Sequence, residues 1–296
     1  MRIREDRIYN IVINLILLIM ALSCILPLVL LFVASISSEA SIAREGYAFF
    51  PKQFSTDAYE YLWQKRDIIG TTYMRTIVVT AVGTVVSLFI TTALAYPLSR
   101  KDYPYRKFTI AIVVFSILFN GGLVPTYLVY TNIFKIKNTI WALLVPGLLM
   151  NGFNVLISRT YFKNNVPSAI IESARIDGAG EFSIFFRIVI PVSVPIMATI
   201  GLLAGISYWN DWSNGFIYIT QTAKLGIQSY LARILMDLQF LTSSNMSGSL
   251  GAVAADLPTT TVRMAIAVIG VLPVLIVYPF FQKYFVRGIT IGSVKE

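Results

Sequence analysis

Six stretches of 19 to 24 residues carry no Asp, Glu, Lys or Arg, and they constrain this chain more than any other feature. They are Ile11–Ala34, Thr76–Leu98, Phe108–Tyr130, Thr139–Ser158, Ile188–Trp209 and Met264–Gln282. A helix of about 20 apolar residues spans the roughly 30 Å hydrocarbon layer of a bilayer. The sequence therefore predicts an all-α polytopic membrane protein, with six transmembrane helices in a single domain over residues 1–296. Composition agrees, since 56% of residues are hydrophobic and only 13% charged, where soluble domains carry roughly 25% charged residues. Arg2, Arg4 and Arg7 precede the first run, as in a signal peptide. Its apolar core is too long for one, and no Ala-x-Ala pattern follows, so it reads as a retained helix.

The basic residues set the orientation. With the N-terminus inside, the inner segments 1–10, 99–107, 159–187 and 283–296 hold fourteen Lys and Arg in 62 positions. The outer segments 35–75, 131–138 and 210–263 hold ten in 103. The inner density is about twice the outer, as the positive-inside rule requires, so both termini are expected in the cytoplasm. The net charge of +9 then reflects topology and anionic lipid headgroups. The basic residues are scattered, and no nucleic-acid site is expected.

Much chemistry is absent. There is no His and one Cys, Cys24, so His-based catalysis, an intrachain disulfide and cysteine metal clusters are excluded. Cys24 lies in an apolar run and reads as a small hydrophobe. No span carries the ionisable residue of a proton relay. No G-x-x-x-x-G-K-[ST] loop occurs, so the chain has no cradle for ATP. No catalytic residue, metal or cofactor is expected in this chain, and active transport would draw its energy from a partner.

Several spans are interrupted. The third contains Asn120-Gly121-Gly122 and Pro125, the fourth Pro146-Gly147, Asn151-Gly152 and Asn154, the fifth Pro191 and Pro195, the sixth Pro273 and Pro279. Backbone groups freed in hydrocarbon need partners or a water-filled cavity. Two readings stay open: spans three to five line a polar path, or neighbouring helices satisfy ordinary kinks. Gly201 to Gly205 form a GxxxG, which permits close helix approach, most simply within the same chain.

The segment 159–187 is the most informative. Pro167 suits the start of a short helix and Gly178 the position just past its end, where positive φ is needed. Phe182, Phe185, Phe186 and Val189 follow at helical spacing. A helix–turn–helix on the cytoplasmic face is expected. Ile170, Ile171, Ala174 and Ile176 give its first helix an apolar surface that must pack on the spans or on a partner. Asp177 sits at the disfavoured end of the first helix dipole, and capping the second helix would account for it.

These residues carry a resemblance. Glu172-Ser173-Ala174, Gly178 six residues after Glu172, and Ile188-Val189-Ile190-Pro191 resemble the E-A-A-x-x-x-G-x9-I-x-L-P loop of bacterial ABC importer permeases, with Ser173 for Ala and Ile190 for Leu as departures. The string from Glu172 to Gly180, Ser99-Arg100-Lys101, Trp209-Asn210-Asp211 and the tail Lys283–Gly292 are similar to the carbohydrate-uptake branch and its maltose-type second permease. The resemblance implies a type I ABC importer permease fold in a bacterial plasma (inner) membrane. It implies a heterodimer with a second permease, two cytoplasmic ATPase subunits carrying ATP and Mg, and an extracytoplasmic solute-binding protein. Glu172, Ser173, Ala174, Asp177 and Gly178 would form the coupling loop. Glu172 would meet a basic group of the ATPase, and Asp177 would hold the start of the second helix. The tail from Gly288 would run along the ATPase pair.

Asn120, Gly121, Asn151, Asn154, Tyr208, Trp209 and Asn210 are the candidate sugar-path residues. In the outer segment 210–263, Leu231, Ile234, Leu235, Leu238 and Leu241 fit one helical face, read as an interfacial helix. The Ser/Gly-rich stretch after it, with Ser243, Ser244, Asn245, Met246, Ser247 and Gly248, is the candidate docking loop for the binding protein. Phe49–Lys52 and Gly121–Tyr127 resemble a subgroup handling larger or acidic oligosaccharides, such as pectin or alginate fragments. The same architecture serving a non-sugar solute is the alternative, and a self-sufficient secondary carrier is a further one.

Overall fold

The structure is a computed structural model that describes the backbone of residues 2–243 and 259–291, with side chains over 9–240 and 260–279. The described residues are mostly helical, with one isolated antiparallel bridge between Ser37 and Phe54. The chain divides into two units: residues 1–67 with 233–273, and residues 68–232 with 274–296.

The first unit holds α1 (Arg2–Ser35), α2 (Glu39–Glu45), α3 (Asp57–Gln64) and most of α15 (Thr259–Ile291). The apolar run of α1 is mostly exposed from Ile11 to Phe32, with Leu15, Leu18, Leu22 and Leu26 all open. A helix apolar on every side and unburied within its own chain is a lipid- or partner-facing span. Ser38 N-caps α2 by accepting from Ser41 N at 3.2 Å. The Glu39 carboxylate accepts from Thr260 N, Thr261 N and Thr261 Oγ1, each at 2.9 Å. It thus satisfies orphan N–H groups at the positive end of α15. Those bonds outweigh the burial that would raise its pKa and hold the carboxyl below its usual range.

The second unit holds the rest of α4 (Arg66–Ser99), then α5 (Arg106–Leu118), α6 (Leu123–Leu128), α7 (Trp141–Leu144) and α8 (Gly152–Asn165). It continues with α9 (Ser168–Ile176), α10 (Glu181–Ile184), α11 (Ile190–Val192), α12 (Val194–Trp209), α13 (Ser213–Tyr218) and the start of α14 (Ile227–Ser243). Its core joins α4, α5, α8, α9, α10 and α12 through Ala95, Leu98, Val113, Val155, Phe162, Ile171, Ile184, Val189 and Ile200. Gly152 brings α8 onto α5, since a Cβ there would stand 2.8 Å from Ile117. The predicted GxxxG packs inside the chain: Gly201 faces Leu88 and Gly205 faces Thr84, both on α4.

Three of the six predicted spans are continuous helices: the first, the second and the sixth. The others are not straight. The third bends by 113° between α5 and α6, where Asn120-Gly121-Gly122 intervenes and Gly122 takes φ +85°. The fifth bends by 84° at Ser193, between α11 and α12. The predicted fourth span, Thr139–Ser158, is the short α7, a non-helical turn through Pro146-Gly147, and α8, which runs on to Asn165. By length and composition the described helices supply three spans, or five if each bent pair counts as one. The helix α15 outruns its predicted end at Gln282. The apolar face of α14 is not left for an interface, because Leu231, Ile234 and Leu238 are buried within the chain.

Candidate functional site

The predicted helix–turn–helix forms. Pro167 is the N-cap of α9 and Asp177 its C-cap. Gly178 follows at φ +82°. Ala179 N donates to Ala174 O at 2.9 Å and Gly178 N to Arg175 O at 3.0 Å, the paired bonds of a Schellman turn. The next helix is α10, whose N-cap is Gly180 with no side-chain cap. Asp177 is exposed and does not cap it. The helix continues through a π segment, Phe185–Val189, into α11.

The apolar surface of this motif is divided. Ile171, Ile184, Phe185 and Val189 lie in the core, with Ala174 packed against it. Ile176 is 87% exposed and Phe182 83% exposed, on either side of the Gly178 turn. Glu172, Ser173, Asp177 and Gly178 are exposed beside them. No atom lies within 4 Å of where a Gly178 Cβ would stand. The motif thus offers a small, unpartnered, mainly apolar face with an acidic edge.

The motif is also held by charge. Arg175 Nε donates to Glu181 Oε1 at 3.0 Å, and Arg175 Nη1 lies 2.8 Å from Asp102 Oδ2. Arg100 grips Asp102 with two bonds, Nε to Oδ1 at 2.9 Å and Nη2 to Oδ2 at 2.8 Å. Arg100 Nη1 reaches Tyr96 Oη at 2.9 Å and Glu181 Oε2 at 3.4 Å. Tyr96 Oη donates to Glu181 Oε2 at 2.8 Å. Two arginines and two carboxylates therefore alternate in a closed ring on the end of α4. The hydrogen bonds from Arg100 hold the Asp102 carboxyl down at about 2, while the Arg100 guanidinium, despite its burial, is pushed further up by Asp102 and Tyr96. The ring separates two cavities of about 420 and 610 Å³, the first walled by Phe89, Pro97, Phe182 and Phe186, the second by Lys101, Lys163, Pro167 and Glu172. Sequence reading missed the ring. Arg100 and Glu181 stand 81 positions apart, and only packing brings them together.

The candidate path residues are spread over the breaks. Asn120 Oδ1 accepts from Gly122 N at 2.9 Å and shapes the 113° bend. Asn151 N-caps α8 by accepting from Phe153 N and Asn154 N. Gly121 and Asn210 are exposed, Asn154 is buried, and the buried Trp209 ring lies 6.0 Å from Tyr73. Tyr208 Oη donates to Leu144 O at 2.8 Å, and its ring fills the space over Gly83, where a Cβ would stand 2.4 Å away. Asn214, absent from the sequence candidates, donates to Pro146 O at 2.9 Å. Tyr208 and Asn214 thus satisfy carbonyls freed where the fourth run stops being a helix. Asp211 Oδ1 accepts from Ser213 Oγ and Asn214 N, and burial pushes its pKa up. Buried hydroxyls of Thr80, Thr84, Thr91, Ser158 and Ser193 have no hydrogen-bond partner among the described residues. Of the candidate docking loop, only Ser243 is described, as the last residue of α14. Ser244, Asn245, Met246, Ser247 and Gly248 lie outside the described residues, as do 292–296 of the tail. No group of three Asp, Glu or Cys side chains comes together among the described residues.

Comparison with known proteins adds the following. The sequence profile of the family described as binding-protein-dependent transport system inner membrane component matches residues 2–291. The polygalacturonan/rhamnogalacturonan transport system permease protein YtcP of Bacillus subtilis is 38% identical over 293 residues, covering 98% of this chain and 99% of the relative. Protein LplC of Bacillus subtilis is also 38% identical, over 92% of this chain and 89% of its own. Among solved structures, a chain from the crystal structure of a bacterial ABC transporter involved in the import of the acidic polysaccharide alginate superimposes with a TM-score of 0.79. It is 32% identical, covering 95% of this chain and 98% of that one.

Proposed function

The chain belongs to the family of binding-protein-dependent transport system inner membrane components, and from that premise we propose that it is the permease subunit of an ATP-driven importer of acidic oligosaccharides. The substrate class rests on the polygalacturonan/rhamnogalacturonan and alginate transport named for two relatives. On this reading the chain is a single permease domain that crosses a bacterial plasma membrane six times with both termini in the cytoplasm. It pairs with a second permease, two ATPase subunits that carry ATP and Mg, and an extracytoplasmic binding protein. Spans three to five line the path, with Asn120, Gly121, Asn151, Asn154, Tyr208, Trp209 and Asn210 on the elements around it. The bends of these spans, with the unpartnered hydroxyls of Ser158 and Ser193, suit a route for a polar solute. The stretch from Ser243 to Gly248 receives the binding protein.

One observation carries the coupling role: Ile176 and Phe182 stand exposed on either side of a preformed Gly178 turn, next to Glu172. An apolar pair with a charged edge is the composition of a docking site. Glu172 meets a basic group of the ATPase there, Ser173 gives α9 a small outer surface, Ala174 lets the helix pack closely on the core, and Asp177 lies at the rim. Purification through a C-terminal tag in mild detergent tests the assembly. An ATPase and a second permease should accompany the chain. A stable, monodisperse chain alone would sink the reading. Gly178→Asp tests the contact. The side chain meets no neighbouring atom, and its positive φ costs about 1 kcal/mol, so the protein should still fold and insert, which is checked by its yield and assembly, and lose oligosaccharide uptake. Full uptake in that variant would refute the coupling role.

A further inference from the structure

The ionic ring lies beside the docking face: Arg175 stands three positions after Glu172 on α9, and Glu181 directly precedes Phe182. Its four charges come from three places: Arg100 and Asp102 just after α4, Arg175 on α9, and Glu181 at the first turn of α10. Simple exposed ion pairs would be replaceable ornaments. This arrangement differs in three respects. The Arg100 side chain is only 13% exposed. Its grip on Asp102 is bidentate, which fixes direction as well as distance. Each carboxylate bonds both arginines, so no pair can move without disturbing the next. Tyr96, one turn back on α4, closes the ring from below, with its hydroxyl on Glu181 and its ring 5.5 Å from that of Phe185. The ring therefore bolts both helices of the motif to the end of the longest continuous helix in this unit.

The path from α10 into α12 is different. It passes through a π segment and then an 84° bend at Ser193. A bent, locally unwound connection yields under load, whereas α4 is one helix from Arg66 to Ser99. We propose that the Arg100–Asp102–Arg175–Glu181 ring makes α9 and α4 move as one body, so that α4 is the lever by which the loop drives the membrane helices. The four residues act as positioning residues, and the inference rests on the coupling role given to the loop above.

The test uses the complete transporter in proteoliposomes with its binding protein and a polygalacturonate oligosaccharide as probe. Spin labels go on Met74→Cys and Ala169→Cys in a Cys24→Ser background. Met74 is exposed near the start of α4 and Ala169 is exposed on α9. With the ring intact, the distance between labels should be the same without nucleotide and with trapped ATP. In Glu181→Gln, and more so in Asp102→Asn with Glu181→Gln, it should broaden and become nucleotide-dependent. The ATP hydrolysed per sugar imported should rise at least about fivefold. Arg175→Lys keeps the charge but loses the planar fork of donors, and should fall between. A shift of roughly 5 Å, the scale of a one-turn ratchet, with the ring intact would overturn the proposal. So would a broken ring that leaves both readouts unchanged. If the wild-type chain binds no ATPase, the functional reading fails by itself. The label distribution in the lone chain then still decides whether the ring binds the two helices, being narrow with the ring and broad without it.

Discussion

The two ends of α4 are fastened by different chemistry. At its start, Arg75 donates to the carbonyls of Ala223 and Leu225, and Thr76 Oγ1 accepts from the buried N–H of Ile227 at 2.8 Å. At its finish, the partners of Arg100 are carboxylates and a tyrosine hydroxyl. One end is tied to main chain and the other to side chains. A backbone bond inside a buried turn has no alternative partner, and losing it orphans a polar group. The ring at the other end is held by shared, partly bidentate ionic bonds, whose strength depends on salt. Both arrangements fix α4 in place, the first through desolvation and the second through shared charge that salt can weaken.

Three measurements would break or sharpen this contrast. The largest effect is expected from Thr76→Val, which leaves the Ile227 N–H buried and unpaired, a cost of about 2 kcal/mol. Thermal unfolding in detergent should drop accordingly, and the loss should be the same in low and high salt. An unchanged midpoint would mean that the end is not anchored as described. Arg100→Met should come next, at about 1–2 kcal/mol, because its three partners lose a largely buried donor. Unlike the first, its penalty should shrink in about 1 M salt, where the Debye length is near 3 Å. Equal penalties at both salt levels would erase the distinction.

The smallest effect is the acid response of Asp102. Its folded pKa is lowered from 3.8 to about 2. The stabilisation from its pairing is therefore present above 3.8 and is lost as pH falls through about 2. Since the group is exposed, the contribution is under about 1 kcal/mol. The difference between wild type and Asp102→Asn should be constant at neutral pH and vanish in that window. A difference that persists below it would assign the effect to packing.

What the sequence disclosed follows the range of the forces involved. The turn at Gly178 was legible because it depends on local backbone geometry: proline before, glycine after, nine residues of helix between them. The straight spans were legible for the same reason. The bends were signalled by Asn120-Gly121-Gly122 and by Pro146-Gly147, but their angles were not, because a bend is set by what receives the freed carbonyls. Tyr208 and Asn214 do that from more than 60 positions away. Asp177 was given a capping role on the strength of helix dipoles, and Gly180 holds that position instead. Arg100 and Arg175 looked like ordinary inner-face basic residues. Both lie in strings that carry the family resemblance, but nothing there pairs them with Asp102 and Glu181.

The π segment at Phe185–Val189 carries a consequence for register. A π turn holds one residue more than the α turn it replaces. Removing a single residue there would restore the α repeat and rotate everything upstream by about 100°. Glu181 would swing away from Arg175, and Phe182 away from the face it shares with Ile176. In related sequences a one-residue gap in this stretch should therefore matter more than most substitutions, and should appear together with loss of the Arg175–Glu181 pair. Relatives that carry the gap and still keep both charges would show that the extra residue is not what sets the alignment of the motif.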